Sequence, residues 1–172
     1  MELFAHIGIA IGFIILMEAV AWLSHRYVMH GWLWSLHKSH HEPRTGNFER
    51  NDWFGVFFAI PSIILIYVGV HIWLPALSMG LGILGYGLIY FFLHDILVHK
   101  RIPNQLRPKK GYLARIVQAH RLHHAVASKE GCVSFGFIFA PSPQRLKAML
   151  KKTEAGVMRQ PAQTQLEGTD SL

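Results

Sequence analysis

The stretch HRYVMHGWLWSLHKSHH, residues 25–41, contains two histidine boxes, His-x4-His followed by His-x2-His-His. The same two boxes return in the same order within residues 94–124, as HDILVH and HRLHH. Ten of the twelve histidines therefore fall into two matching sets of five, which chance does not produce. The ten are His25, His30, His37, His40, His41, His94, His99, His120, His123 and His124.

Long apolar segments lead into both sets of boxes. Residues 3–23 run directly into the first set, and residues 53–74 and 76–93 form two further apolar blocks before the second. Each block is close to the ~20 residues that a helix needs to cross a hydrocarbon core. We expect residues 3–23 to be retained rather than cleaved, because no basic residue precedes them and no small-residue cleavage site follows.

These blocks predict an all-α integral membrane protein with about three transmembrane helices, possibly four, and a histidine-rich cap that holds two metals. All seventeen Lys and Arg lie in residues 26–50 or 100–159. The positive-inside rule then places the histidine boxes on the cytoplasmic side, with the N-terminus and the turn at residues 74–80 outside. The net charge of +7 follows from this basic face rather than from binding of nucleic acid, for which no groove-reading element is visible.

The spacing of the boxes constrains their geometry. His25 and His30 lie ~140° apart around a regular α-helix, too far for one shared metal. Either the helix is deformed there or the two histidines bind different metals. In the His-x2-His-His boxes, by contrast, positions i, i+3 and i+4 share one face of a short helix.

Imidazole nitrogen binds iron, zinc, copper and nickel, and ten imidazoles match two ions with about five ligands each. Cys132 is alone, which excludes a disulfide and a cysteine-based metal site. Structural zinc would need only four ligands, and a carboxylate-bridged di-iron bundle would show Glu-x-x-His motifs, which this chain lacks. We therefore expect a redox-active di-metal centre of iron, which zinc or nickel can replace during purification.

Two acidic residues are candidates for supporting roles. Asp95 follows a box histidine and can accept the outer N–H of a ligating imidazole, or it can form a hydrogen bond at a helix end. Glu18 lies within the first apolar block, where an ionisable group is costly and often functional. Its alternatives are support of the ligands, proton delivery, or a hydrogen bond between helices. His6 and His71 lie away from the boxes and are not expected to bind metal.

The rest of the chain divides simply. We predict one membrane-embedded domain over residues 1–150 and a polar, disordered tail over residues 151–172. Residues 100–119 are predicted to form a basic linker on the membrane surface. The apolar segment 132–140 is too short to span and is expected to fold back near the boxes or dip into the interface.

Four longer strings carry a resemblance to a known family. They are HRYVMHG (25–31), HKSHHE (37–42), YGLIYFFLHDILVHKR (86–101) and QAHRLHHAVASKEGCVSFGFIFAP (118–141). The boxes resemble the membrane fatty-acid hydroxylase and sterol desaturase superfamily, and the fuller strings resemble its bacterial β-carotene 3-hydroxylases. The likeness covers roughly residues 17–150 and is specific. Ile96 departs from the family pattern, which has Gly there, but leaves the ligand spacing intact.

The resemblance implies a non-haem di-iron monooxygenase of the bacterial inner membrane, with O₂ as co-substrate. Its membrane-dissolved substrate would be β-carotene, hydroxylated at C3 of each β-ionone ring to β-cryptoxanthin and zeaxanthin. Canthaxanthin would be converted towards astaxanthin in the same way. The chain has no dinucleotide-binding fingerprint, so electrons would come from a donor such as ferredoxin with its reductase.

Two other classes of function stay open at this stage. One is a hydroxylase or desaturase of the same superfamily that acts on a fatty acyl, sterol or sphingoid chain, or a carotenoid ketolase. The other is a metal-storage or transport membrane protein. A transporter should carry polar ligands through its spans, whereas these boxes cluster at one end of them, which disfavours transport.

Overall fold

The computed structural model describes residues 1–44 and 46–153, and within these ranges it contains helices and loops but no strand. The long helices carry the apolar blocks and the short ones carry the second box of each set. In chain order they are α1 (Glu2–Leu23), a first π-helix (Ser24–Trp32), α2 (Trp34–His41), a 3₁₀ turn (Arg50–Asp52), α3 (Trp53–His71), α4 (Leu74–Tyr90), a second π-helix (Phe91–Val98), α5 (Gly111–His123) and α6 (Pro143–Lys152).

Three helical segments are long and apolar enough to cross a membrane: Glu2–Trp32, Arg50–His71 and Leu74–Val98. Their outer faces expose large apolar side chains, such as Ile15 at 68% and Ile63 at 64%. Exposed apolar surface on this scale is typical of contact with lipid rather than with water. The predicted all-α membrane fold with three spans is confirmed, and the described residues contain no fourth span.

Helix α4 lies between α1 and α3, and its glycines allow both neighbours to approach closely. A Cβ atom at Gly80 would lie 2.8 Å from the backbone nitrogen of Ile66 on α3, and one at Gly82 would lie 2.5 Å from the carbonyl oxygen of Ala10 on α1. The hydroxyl of Ser62 also donates a hydrogen bond of 2.9 Å to the Gly80 carbonyl. The glycine run therefore serves helix packing.

Two predicted boundaries are wrong. The predicted turn at residues 74–80 belongs to helix α4, which begins at Leu74; the chain turns at residues 72–73, and Pro75 lies in the first turn of α4. A helix tolerates proline there because the first N–H groups have no partner within the helix. Helix α5 begins at Gly111, inside the predicted linker 100–119, because the turn residues of that linker end there.

The segment from residue 125 to residue 142 has no regular helix and folds back towards α1 and the histidines, as one of the two sequence alternatives proposed. Helix α6 follows, capped by the Ser142 hydroxyl, which accepts a hydrogen bond from the Arg145 amide. Leu146 and Leu150 bury the apolar face of α6. Residues 151 and 152 of the predicted tail complete this helix, and the tail from residue 154 lies outside the described residues.

Candidate metal centre

The His-x4-His box of each set lies in a π-helix that continues a spanning helix. His25 and His30 follow α1, and His94 and His99 follow α4, with His99 as the C-terminal cap. The amide of His99 donates to the carbonyl of His94 at 2.9 Å, and the amide of Leu33 donates to that of Val28 at 3.0 Å. These are i to i+5 hydrogen bonds, which place residues five apart on the same face of the helix. Of the two sequence alternatives, the helix is deformed, and each His-x4-His pair points its rings to one place.

The imidazoles form two groups, named here site A and site B, in which the candidate ligand nitrogens lie within 4.8 Å of one another. The first set of boxes gives three histidines to site A and one to site B, and the second set gives three to site B and one to site A. Each set therefore gives one histidine to the site formed mainly by the other set, which is an exchange of one candidate ligand between the two sites. Site A contains His25, His30, His37 and His123, and site B contains His40, His94, His99 and His120.

The remaining two box histidines occupy matching positions beside these groups. The ring of His41 lies 5.0 Å, centroid to centroid, from the rings of both His30 and His123 in site A. His124 Nε2 lies 2.9 Å from His120 Nε2 in site B. The rings of His41 and His124 stack on each other at 4.5 Å, so the two sites are neighbours. The structure thus brings all ten predicted ligands together.

The two histidines that were not predicted as ligands lie elsewhere. His6 Nδ1 forms a hydrogen bond of 2.9 Å with the hydroxyl of Ser78, which joins α1 to α4. The ring of His71 lies against that of Tyr67, with centroids 4.5 Å apart. Both are contacts between ordinary side chains near the far ends of the spans.

The Nε2 atoms face one another in pairs within each site. In site A the separations are 3.1 Å for His25 and His37, and 3.2 Å for His30 and His123. In site B they are 2.9 Å for His40 and His94, and 3.0 Å for His99 and His120. Two nitrogens bound to one ion at ~2.1 Å and at a right angle lie ~3.0 Å apart, which matches these values.

The outer nitrogens explain why the Nε2 atoms face inwards. Seven of the ten rings have their Nδ1 atom within hydrogen-bond distance of an oxygen. A backbone carbonyl or a carboxylate can only accept, so Nδ1 carries the proton and Nε2 carries a lone pair. The pairs are His25 with Phe135 O, His30 with Lys129 O, His37 with Asn51 Oδ1, His40 with Glu49 Oε2, His41 with Val126 O, His94 with Asp95 Oδ1 and His123 with Val133 O.

Two lone pairs at 3 Å repel each other unless a cation lies between them. Protonation of one ring is disfavoured, because burial lowers the pKa of His37 and of His99 to about 2. The donor set therefore fits a metal ion in each site, bound by neutral imidazole. Imidazole suits iron as well as zinc, copper and nickel.

Cys132 lies closer to site A than its isolation in the sequence suggested. Its sulfur is within 4.8 Å of nitrogens of His30, His41 and His123. The thiol points towards the carbonyls of Val126 and Ser128, at 3.8 and 3.6 Å, and burial raises its pKa to about 12. The four nitrogens that define site A all belong to imidazoles, and the sulfur lies beside them.

Carboxylates support site B. Asp95 Oδ1 accepts from His94 Nδ1 at 3.0 Å, the role anticipated for it, and Glu49 Oε2 accepts from His40 Nδ1 at 2.9 Å. Arg101 joins this network, with its guanidinium 3.6 Å from Asp95 and 2.8 Å from Asp52. Glu49 was not predicted as a partner of a box histidine, because residues 42–52 resemble an ordinary charged turn.

Backbone carbonyls of the segment 126–135 support site A, with Asn51 as the side-chain exception. The carbonyls of Phe135 and Lys129 accept from His25 and His30, and that of Val133 accepts from His123. Phe137 then stacks on His25, with ring centroids 5.5 Å apart and planes inclined by 7°. These acceptors could not be predicted from the sequence, because every residue has a backbone carbonyl and the residue type does not show which ones accept.

Glu18 holds this segment in place. Its Oε1 atom accepts from the amides of Phe137, Ile138 and Phe139 at 3.0, 3.0 and 2.8 Å, and its Oε2 atom accepts from the Tyr86 hydroxyl at 2.8 Å. The anticipated hydrogen bond between helices is thus present, joining α1 to α4. The three amide contacts connect Glu18 to site A through the backbone of the segment rather than through a histidine ring.

Comparison with known proteins gives consistent matches. The family model described as fatty acid hydroxylase matches residues 10–142. A "Beta-carotene hydroxylase" of Pantoea ananas is 54% identical over 136 residues, which are 79% of this chain and 78% of that protein. A protein with the same description from a Paracoccus species is 50% identical over 157 residues, or 90% of this chain and 95% of that protein. No solved structure matches the chain.

Proposed function

Because the chain belongs to the fatty acid hydroxylase family, we propose that it hydroxylates C3 of the β-ionone rings of β-carotene in the membrane. The class of enzyme is an oxygen-dependent hydroxylase, an oxidoreductase. The choice of substrate is supported by the likeness, over most of the chain, to proteins described as beta-carotene hydroxylases. Residues 1–150 act as one hydroxylase domain.

The reaction inserts one atom of O₂ into a C–H bond. Per ring, R–H + O₂ + 2 e⁻ + 2 H⁺ gives R–OH + H₂O, so a two-electron donor system is required. Such an unactivated C–H bond is beyond the acid and base chemistry of side chains alone. Two iron ions, one in each site, would supply the O₂ activation and the oxidising power.

The ten box histidines are the proposed metal ligands. The facing Nε2 atoms support this assignment, and the oxygens that accept from Nδ1 hold each ring in the required tautomer. Zinc or nickel can occupy the sites in purified protein, because late first-row metals bind nitrogen ligands more tightly than Fe²⁺. Phe135 and Phe137 pack against the rings of site A and restrict the access of water.

The arrangement suits a substrate that stays dissolved in the bilayer. The histidines lie where α1 and α4 end, so a long apolar molecule can remain among the spans and present its ring to the metals. We propose that this end faces the cytoplasm of a bacterium, in the inner membrane, with the N-terminus outside. The distribution of Lys and Arg supports this orientation.

The electron donor is proposed to be ferredoxin, with its reductase, or a similar acidic carrier. Residues 96–129 contain no Asp or Glu but several Lys and Arg, and they follow site B directly in the chain. Such a basic surface attracts an acidic protein by electrostatic steering.

A molecule with two identical rings reacts twice. β-Carotene therefore passes through β-cryptoxanthin to zeaxanthin, and canthaxanthin, whose C3 carbons are also free, is converted towards astaxanthin. The enzyme hydroxylates one ring in each turnover. The singly hydroxylated compound is therefore expected to accumulate when turnover is slow.

Expression in a bacterium that produces β-carotene tests this function. We expect zeaxanthin and β-cryptoxanthin in aerobic, iron-replete culture, measured by chromatography of the pigments. His40→Ala is the inactive reference, and His71→Ala, which lies outside both sites, should match the unaltered chain. A culture that contains only β-carotene, with hydroxylated fatty acids or sterols in its lipids, would assign the enzyme to a different substrate of the same family.

A further inference from the structure

A large groove opens beside site A. It lies between α1, the segment 129–141 and α6, and its volume is 1210 Å³. Pockets for drug-sized ligands usually occupy ~300–1,000 Å³, so this groove suits a longer molecule. None of the contacts described above fills it.

Most of the groove lining is apolar, although Glu18 of α1 and Arg145 and Lys152 of α6 also belong to it. Ile14, Ile15 and Trp22 of α1 line one wall, and Phe139 and Met149 line the other. Ile15 and Phe139 are exposed at 68% and 83%, so the groove is open at these two residues. A molecule dissolved in lipid can therefore enter without crossing water.

Where α1 ends, the groove reaches the candidate metal centre. His30 of site A belongs to its lining, and so do Arg26 and Lys129. The guanidinium of Arg26 lies over the rings of Trp22 and Phe135, at 5.4 and 5.6 Å from their centroids. These cations belong at the level of the lipid headgroups, because charge is costly in the hydrocarbon region.

The groove therefore extends along α1, which as a spanning helix would lead from the hydrocarbon region towards the interface. Ile14 and Arg26 are twelve residues apart, which is about 18 Å at a helical rise of ~1.5 Å per residue. A rigid, rod-shaped apolar chain matches this length and straightness better than a compact ligand. Its end ring would lie next to His30.

We propose that this groove is the binding site for the polyene substrate, with one half of the chain along α1 and the end ring at site A. The inference rests on the proposed function, because it takes the substrate class from it. It adds that the substrate enters from the bilayer between α1 and α6, and that the ring meets site A before site B.

Two tryptophan substitutions on α1 test the groove. Ala19 is exposed and lines it, whereas Leu16, one turn away, is 50% exposed and faces lipid outside it. Ala19→Trp should fill the groove, and Leu16→Trp adds the same bulk to the same helix. Each protein is purified from β-carotene-producing cells grown without O₂, so that bound substrate is not consumed.

The measurements are carotenoid per chain by absorbance, metal per chain, and hydroxylation after O₂ and reductant are supplied. We expect Ala19→Trp to retain about tenfold less carotenoid and to react about tenfold more slowly, a change of ~1.4 kcal/mol in binding, with unchanged metal content. Leu16→Trp should behave like the unaltered protein in all three measurements.

Several results would overturn the proposal. Ala19→Trp that binds and hydroxylates β-carotene normally would mean that lipid, a fatty acyl chain or residues 154–172 occupy the groove instead. Equal losses in Ala19→Trp and Leu16→Trp would point to a general defect of α1. Failure of the unaltered chain to hydroxylate any carotenoid would instead reject the proposed function, and this control separates the two failures.

Discussion

Sites A and B have the same inner donors and different outer partners. In site A the Nδ1 groups of His25, His30 and His123 donate to neutral backbone carbonyls of one loop segment. In site B those of His40 and His94 donate to the carboxylates of Glu49 and Asp95, and the guanidinium of Arg101 lies 3.6 Å from Asp95. Identical ligand types can thus be placed in two electrostatic settings.

The difference has a chemical meaning. A carboxylate on the outer nitrogen makes an imidazole more electron-donating, so site B should favour the more oxidised metal. Site A, with neutral partners and the groove beside it, should be the more easily reduced site and the one nearer to substrate. The comparison also separates two kinds of support: site A depends on how one loop is held, and site B depends on charge.

The largest effect is expected from removal of a ligand in either site. His30→Ala and His94→Ala should each lower hydroxylation more than ~100-fold, beyond the usual cost of losing an outer partner. Elemental analysis of protein purified without a histidine tag should fall from two ions per chain towards one. His6→Ala, matched in type but bonded to Ser78, should leave both values unchanged. Substantial activity in either ligand variant would mean that its box does not hold metal.

Next in size is the loss of Glu18, which should affect site A alone. Glu18→Ala leaves three amides and the Tyr86 hydroxyl without their acceptor, and the segment that orients site A loosens. We expect a ~10–100-fold lower metal affinity in site A, measured by chelator titration, with site B nearly unchanged.

Two further variants make this comparison sharper. Glu18→Gln keeps an acceptor oxygen and should recover part of the affinity, and Tyr86→Phe removes one contact and should have the smallest effect. Equal loss of metal from both sites in Glu18→Ala would show that the residue stabilises the whole bundle instead.

A smaller effect, on site B, is expected from Asp95→Asn. The amide oxygen can still accept from His94, but the negative charge is lost. We expect about tenfold weaker metal binding at site B and a lower stability of its oxidised form. Mössbauer spectra of iron-loaded protein can follow the two sites separately. A change confined to the signal of site A would reverse the assignment of the outer partners.

The smallest effect is expected from Asn51→Asp. Asn51 Oδ1 is 2.6 Å from His37 Nδ1, so the variant gives site A a carboxylate partner like those of site B. Activity should stay within about tenfold, while site A releases its metal to a chelator more slowly. Faster release would contradict the idea that outer charge distinguishes the two sites.

Much of the architecture was predictable from the sequence, because it depends on long, uniform signals. The apolar blocks before residues 25 and 94 identify the spans, and the repeated spacing of the boxes indicates ten histidines that lie together in the structure as candidate ligands for two metals. These signals depend on residue type and count, which a sequence states directly.

The division of the ligands was not predictable. It depends on the π-helical hydrogen bond between His99 and His94, whereas the spacing alone was compatible with a regular helix and separate metals. The supporting carbonyls of residues 126–135 have no side-chain signature, and Glu49 appeared to be one charge among several in a turn. Glu18 was noticed for its cost in the membrane, but its partners were amides a hundred residues away, which no local pattern reveals.

The exchange of one ligand between the sites has a consequence for biosynthesis. Site B lacks His120 and site A lacks His123 until the ribosome has reached the last box. We therefore expect metal to be bound by a full set of candidate ligands only after the third span has been inserted and residues 111–123 have folded. A nascent chain arrested before that point has no complete site, so we expect it to hold a competing ion less tightly than the finished protein does.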